Sequence, residues 1–499
     1  MVLDRVSAAK LELSKAKVRM EEADAETKDP KTPDVSEAAS YQRSASSTLQ
    51  NLRRLHPTET PNGWRMSSAQ SLENKLQALQ CHFTWDLNPR KPRLITLQKI
   101  LEDISTDEGD FWLGPIYNLQ GFIHYKLGST EEALSSFNQA TETFQHQKNT
   151  DESPWLMVNF GNLAWLHHLM GEDEKSQHYL SKVDALQKKK EELHPEVCAE
   201  KAWTLMRFDE EKKQQAAELF QRAIQMQPDV VEWQSSCAIL GAEAFKDNLE
   251  NMDSEVLEIL RSAKERDPDN LYIAALYLEA RAAKGELSQG ELQMLAEKVL
   301  EAPVSSYSGL GPLLRLYRNY KSKDDAVKLA EEALRRQPDS RYLKRSVAIC
   351  LAKKVLSQEY KPQPPEIMKV IRHWKEVMEA YPESSVREDL TLAQLYAKVD
   401  IEKADRIYKE LLERDDLDLK EEQMLYHRYA NYLFFIRNES DESIKYQLKA
   451  AEIPVETQYR RKSIKELKKA SNKIRDPEMC RMIRELLTRL ENQPETQNQ

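Results

Sequence analysis

The sequence predicts an all-α protein, an irregular α-solenoid of stacked helix pairs with a flexible N-terminal extension. Three observations carry that reading. Glycine is scarce, at 12 of 499 residues, about 2.4 % against a usual share of about 7 %. This removes the usual material of β-turns and phosphate-cradling loops. Glu, Lys, Leu, Ala and Gln are abundant, and their straight or small side chains lose little rotamer freedom in a helix. Third, one spacing of small, large, small and Pro recurs along most of the chain.

Residues 1–65 read as an N-terminal extension that is largely disordered. They are helix-prone and charged to about Thr27. The run KDPKTPDVSEAASYQRSASSTLQ follows, too poor in large apolar groups to offset its own ordering entropy. The expectation is a flexible linker over 28–47 and an isolated helix over 1–27. Residues 66–113 read as a helical cap, because MSSAQSLENKLQALQCHFTW opens on a Ser N-cap and turns amphipathic.

Residues 114–457 carry the repeat. A tetratricopeptide unit has about 34 residues in two antiparallel helices. The second helix carries Ala, a large residue four on, Ala three further, and Pro five further. Ala133, Phe137 and Ala140 fit three of these positions. Ala216, Phe220, Ala223 and Pro228 fit all four, and Val256, Leu260, Ala263 and Pro268 repeat the spacing. So do Ala326, Ala330, Ala333 and Pro338, then Val370, Trp374, Val377 and Pro382, while Ala404, Tyr408 and Leu411 continue it. Small residues let helices cross closely, the large one fills the groove to the next unit, and Pro ends the helix. Gly121, Gly128, Gly161 and Gly171 flank the first helices. Additions near 141–154, 184–200, 246–253 and 353–365 make the spacing irregular. Residues 458–499 read as a basic C-terminal helix pair and tail.

Enzymatic chemistry finds no footing. There is no G-x-G-x-x-G, P-loop, H-E-x-x-H or G-x-S-x-G string. The five cysteines (Cys81, Cys198, Cys237, Cys350, Cys480) are far apart, so we expect buried, reduced thiols, no zinc site and no cofactor. His167–His168 sits in a helix packing face. No stretch of about 18 apolar residues occurs and the start lacks an apolar signal core, so no membrane segment is expected and the cytosol is the default.

Charge is informative locally. The total is −10, which argues against coating of duplex DNA. Yet QYRRKSIKELKKASNKIR, residues 458–475, holds Arg460, Arg461, Lys462, Lys465, Lys468, Lys469, Lys473 and Arg475 against Glu466 alone. Such a run is either a solvated helix face or a phosphate-neutralising strip. Smaller clusters are Lys188–Lys190, Arg315/Arg318/Lys321 and Lys344/Arg345. Trp203 and Arg207 lie four apart in EVCAEKAWTLMRF, one turn up the same helix face. They are either a base-stacking indole with a phosphate-gripping guanidinium or a core Trp beside a solvated Arg.

Several strings resemble the interferon-induced proteins with tetratricopeptide repeats. The most specific is Leu79-Gln-Cys-His-Phe-Thr-Trp85-Asp-Leu87; Gly161-Asn162 with Ala164-Trp165 and Met170-Gly171, Tyr179-Leu180-Ser-Lys182-Val183, and Lys462-Ser463-Ile464 with Leu467-Lys468-Lys469 agree. The likeness covers roughly 66–490. It implies a cytosolic α-helical superhelix and, in some members, binding of single-stranded RNA through a 5′-triphosphate or an incompletely methylated cap. Other members act through protein partners. By resemblance, Trp203 contacts the RNA 5′ end, Arg207 stands for a phosphate-binding lysine, and Glu232 is the acid near the cap side. Lys99 stands for an Arg at the triphosphate end. Asp103, Glu243 and Arg345-Ser346 replace a Gln, an Arg and a His-Gln pair.

The function read from the sequence is therefore a non-enzymatic antiviral effector that binds the 5′ end of single-stranded RNA and restricts its translation. Trp203, Arg207, Glu232, Arg345, Lys99 and the cations of 460–469 are its expected RNA contacts. Further expected partners are other family members or translation and antiviral signalling proteins. The alternative is a repeat scaffold acting through protein partners without recognising RNA ends; Asp103 and Glu243 motivate it.

Overall fold

A computed structural model of the chain describes residues 68–491, apart from 105–110, 149–152, 188–192, 246–251, 253, 304, 382–385 and 472–475. The expected N-terminal helix and linker, Lys188–Lys190, Pro382, Lys473 and Arg475 lie outside the described residues. The chain divides into two compact units, Met1–Ser68 and Ala69–Gln499. Apart from Ser68, the described helices belong to the second unit.

Twenty-two α-helices and no strand occur among the described residues. The first two, α1 (Ser68–Gln77) and α2 (Lys91–Glu102), precede ten helix pairs. The pairs are α3 (Leu113–Lys126) with α4 (Thr130–Lys148), α5 (Leu156–Leu169) with α6 (Asp173–Gln187), and α7 (Pro195–Leu205) with α8 (Glu210–Met226). Then come α9 (Val231–Ala244) with α10 (Ser254–Arg266), and α11 (Leu271–Ala283) with α12 (Gln289–Glu301). Next, α13 (Leu310–Leu316) runs into a π-turn (Tyr317–Lys321) and pairs with α14 (Lys323–Arg336). The remaining pairs are α15 (Arg341–Val355) with α16 (Pro364–Ala380), α17 (Val386–Tyr396) with α18 (Ile401–Leu412), α19 (Leu419–Tyr432) with α20 (Ser440–Glu452), and α21 (Gln458–Ala470) with α22 (Pro477–Glu491). A second π-turn, Leu433–Arg437, extends α19.

Six second helices (α4, α8, α10, α14, α16 and α18) carry the repeat spacing, and nearly all of its small and large residues on them are buried. Phe137, Ala133 and Ala140, like Phe220, Ala216 and Ala223, are fully buried, as are Leu260, Ala326, Ala330 and Ala404. Trp374 and Tyr408 fill the grooves of later pairs. Side-chain caps fix the helix starts: Asp209, Asn270, Ser288, Ser322, Ser340, Asp400 and Thr457 each accept a backbone N–H, and Asp418 with Glu421 forms a capping box. Gly128 and Gly171 adopt positive φ in the turns after α3 and α5, where an L side chain would be strained. Gly121 serves a crossing, because a Cβ there would lie 2.6 Å from the Phe137 ring.

The segment before the repeats ties distant pairs together. Arg93 Nη2 donates to the carbonyl of Arg207 (2.8 Å), Arg90 donates to the carbonyl of Asp416, and Lys212 pairs with Asp86 (3.6 Å). At the end of α2, Asp103 accepts from Arg341 Nε (3.2 Å) and Nη2 (2.8 Å) and from the Tyr381 hydroxyl (2.6 Å). Arg341 also donates to Glu102 (3.0 Å) and to the carbonyl of Lys99 (3.1 Å). Residues 86–104 thus join early and late repeats.

Candidate functional site

A cleft of about 350 Å³ opens where the N-termini of α3, α9 and α11 meet the end of α7. Its walls are aromatic and aliphatic (Phe111, Trp112, Trp203, Ile239 and Tyr307), and its polar groups are Arg207, Glu232, Ser235, Asp267, Asp269 and Asn270. Volume and lining match a small-molecule site of the usual range of about 300–1,000 Å³.

Arg207 is its centre. Helix α7 stops at Leu205, so Arg207 lies in the following turn rather than a full helical turn above Trp203. Its guanidinium folds back 4.3 Å from the Trp203 ring centroid and 5.2 Å from that of Tyr307. Two of its nitrogens, Nε and Nη2, are buried without a hydrogen-bond partner. Buried donors normally find acceptors. A stacked guanidinium that lines a cleft and keeps unmatched donors therefore suits an anionic or carbonyl-bearing ligand.

Trp203 is only 2 % exposed. Trp112 stacks on it at 5.7 Å and 18°, and Trp112 in turn meets Phe111, Trp155 and Phe220. The indole therefore backs Arg207 and shapes the wall; it does not offer an open face to a base. The walls that sequence reasoning missed are Trp112, at the start of α3 two pairs earlier, and Tyr307, a loop residue outside any repeat position. Only the aromatic run Phe111-Trp112 hinted at the first.

Among the sequence-derived candidates, the fold brings Trp203, Arg207 and Glu232 together in this cleft. Glu232 stands on the first turn of α9. Asp267 accepts from the Ser235 hydroxyl (3.0 Å) and from Asn270 Nδ2 (2.9 Å). The cleft thus has one cation and three carboxylates. The other candidates lie elsewhere. Lys99 pairs with Glu102 at 3.0 Å. Arg345 pairs with Glu388 at 3.1 Å and lies 4.9 Å from the Tyr381 ring. On α21, Arg460 donates to the carbonyl of Ala451 (3.1 Å) and meets Glu456 (3.5 Å), as does Arg461 (3.7 Å). Lys462 bonds Gln458 (2.8 Å), Lys469 pairs with Glu466 (2.7 Å), and Lys465 and Lys468 are exposed.

The two acids that spoke against RNA do not line the cleft. Asp103 is neutralised by Arg341, and Glu243 lies 4.0 Å from Lys213. His167 and His168 bond Glu172 (2.6 Å) and Asp173 (2.7 Å) at the end of α5. All five cysteines are free thiols, and burial pushes that of Cys81 up to about 12. Among the described residues no His/Cys/Asp/Glu group is arranged for a metal ion, and no helix is long and apolar enough to cross a membrane.

A tetratricopeptide repeat family model matches residues 114–145, which span α3 and α4. The chain is 27 % identical over 423 residues to the human antiviral innate immune response effector IFIT1, covering 80 % of this chain and 87 % of that protein. It is 26 % identical over 416 residues to human interferon-induced protein with tetratricopeptide repeats 2, covering 80 % and 87 %. The solved structure of the human IFIT1 dimer with m7Gppp-AAAA superposes with a TM-score of 0.69 at 25 % identity, over 84 % of this chain and 96 % of that one. The IFIT1 dimer with PPP-AAAA gives the same values. Similarity thus runs through nearly the whole repeat array in both sequence and fold, and it is to the interferon-induced proteins with tetratricopeptide repeats.

Proposed function

We propose that this protein is a cytosolic antiviral effector that binds the 5′ end of single-stranded RNA and thereby restricts translation of non-self transcripts. The observation that carries this is Arg207, a guanidinium held against Trp203 and Tyr307 with two buried donors unmatched. The relatives solved with m7Gppp-AAAA and PPP-AAAA support the ligand class.

The lining refines the ligand. A bare triphosphate would meet Arg207 together with Glu232, Asp267 and Asp269, and three carboxylates oppose a polyanion. A capped end places a purine base between the aromatic walls instead. Its N–H edge is complementary to carboxylate acceptors, which leaves Arg207 for the triphosphate bridge that adjoins the base. Arg345 and the exposed cations of α21, including Arg461, Lys465 and Lys468, add sequence-independent attraction for the strand. Domain roles divide in the same way: the cap (66–113) and early repeats hold the 5′ end, and the basic pair (458–499) serves the strand.

Binding of matched capped, 5′-triphosphate and 5′-hydroxyl RNAs to the full chain tests the reading. Capped RNA should bind most tightly, and its advantage should fall at least tenfold in Arg207→Gln. Equal binding of all three ends would favour the scaffold reading.

A further inference from the structure

We propose that Asp103 is a positioning residue for the Arg207 cleft: clasped by Arg341 and Tyr381, it holds the Tyr307 turn in place and so sets how long a capped 5′ end is kept. This role rests on the 5′-end reading given above. It follows from where α2 is tied. At the start of α2, Arg93 Nη2 donates to the carbonyl of Arg207 (2.8 Å). At its end, the main-chain carbonyl of Asp103 accepts from the Ser306 N–H (3.0 Å). Ile104, the next residue, lines the cleft itself. One helix thus touches the chain that carries the cleft's guanidinium and the chain that carries its Tyr307 wall.

Tyr307 sits on a tight turn. Its N–H donates to Ser305 Oγ (3.1 Å), and Ser308 Oγ donates to the carbonyl of Ser305 (2.8 Å). Gly309 follows with φ +83°, close against the carbonyl of Leu271. The Tyr307 ring so presented lies 5.2 Å from the Arg207 guanidinium, and the Trp203 ring lies 4.3 Å from it. A guanidinium that loses one of two rings gains water, and water competes for the donors a ligand would take. Ser306 carries the tie to α2 and its neighbour Tyr307 carries the ring, so releasing the first loosens the second.

Asp103 in turn is fixed from far along the chain. Its Oδ1 accepts from Arg341 Nε (3.2 Å) and Nη2 (2.8 Å), and its Oδ2 accepts from the Tyr381 hydroxyl (2.6 Å). The Tyr381 ring lies 4.8 Å from the Arg341 guanidinium, which also donates to the carbonyl of Lys99 (3.1 Å) in the last turn of α2. Charge-assisted bonds to both carboxylate oxygens leave the side chain one orientation. The carboxylate therefore fixes the main-chain carbonyl of the same residue, and that carbonyl fixes the turn. Asp103, Arg341 and Tyr381 do not line the cleft, so their effect on a ligand passes through Tyr307.

The test combines amide exchange of the free full chain with dissociation rates of one RNA sequence carrying a cap or a 5′-hydroxyl. In Asp103→Asn the 305–308 turn should exchange about tenfold faster than in the parent, with α7 unchanged. Capped RNA should leave about fivefold faster, and 5′-hydroxyl RNA at about the parent's rate. Tyr307→Ala should show the same loss, and the Asp103→Asn/Tyr307→Ala double variant should be no faster than Tyr307→Ala alone, because Asp103 acts through that ring. Tyr381→Phe keeps the ring beside Arg341 and loses the hydroxyl bond; it should move both readouts the same way by less, and it serves where Asp103→Asn folds poorly. Unchanged exchange of the turn, or losses that multiply in the double variant, overturns the proposal. Equal rates for the two ends in the parent overturn the 5′-end reading instead; faster exchange in Asp103→Asn would then still uphold the clasp's hold on the turn.

Discussion

Arg207 and Trp203 divide one task unequally, and their substitutions should behave differently. Trp203 is buried among Trp112, Arg207 and the α8 groove, so Trp203→Ala should cost about 3–5 kcal/mol of stability as well as binding. Arg207→Gln removes the charge and should leave denaturant midpoints nearly unchanged while abolishing end preference. Deeper in the core, Glu200 accepts from Asn118 Nδ2 (2.8 Å), and Asn118 and Asn159 (2.9 Å) continue the network to Thr141 (2.6 Å). Burial raises Glu200 from its ordinary 4.5 to about 8. The folded chain therefore keeps a proton that the unfolded chain has released between those values, and stability falls as pH rises through that window. Glu200→Gln keeps the acceptor without the ionisation. Its melting temperature should exceed the parent's at pH 8–9 and match it near pH 5. A parent-like pH dependence in that variant would contradict the assignment. At this scale the sequence showed Trp203, Arg207 and Glu232, because fixed spacing and family strings mark them. It hid Trp112 and Tyr307, whose meeting depends on how pairs stack, and it hid the pairing of Asp103 with Arg341, 238 residues away.

The helices were legible wherever small residues at crossings leave a period to read. Ala133, Ala216 and Ala326 mark second helices whose apolar faces are buried as the spacing predicts. The extended ends of α13 and α19 were not legible, since π-turns at Tyr317–Lys321 and Leu433–Arg437 leave no sequence period. Close approach carries testable costs. A Cβ on Gly121 would meet the Phe137 ring, which packing holds in place, and one on Gly309 would meet the carbonyl of Leu271 at 2.6 Å. Gly309 also has φ +83°, so Gly309→Ala combines strain with collision and should cost about 2–4 kcal/mol. Chemical denaturation showing less than about 0.5 kcal/mol would mean that the turn is far more adaptable than its geometry indicates. Because Leu271 lines the cleft, the same variant should weaken capped-RNA binding.

Over the whole molecule, the segment 86–104 decides whether the repeats act as an open array or a joined body. Asp103 is held by Arg341 and Tyr381 with its side chain 6 % exposed. Breaking one partner of such a pair leaves the other uncompensated. In a double-mutant cycle, Asp103→Asn and Arg341→Gln should couple by about 1–3 kcal/mol, and either single variant should increase amide exchange in α2. Additive effects would reduce the contact to a surface ion pair. The net charge of −10 is also unevenly placed: the Arg207 cleft sets three carboxylates against one cation.

The central claim is that the Arg207 cleft recognises the end of an RNA rather than its length. The measurement that tests it most directly is a titration of the parent chain and Arg207→Gln with one RNA sequence carrying a cap, a triphosphate or a hydroxyl at its 5′ end. The account predicts tightest binding of the capped form and weakest of the hydroxyl form, with the three converging in Arg207→Gln. Equal affinities in the parent, or an end preference that survives the substitution, would contradict it.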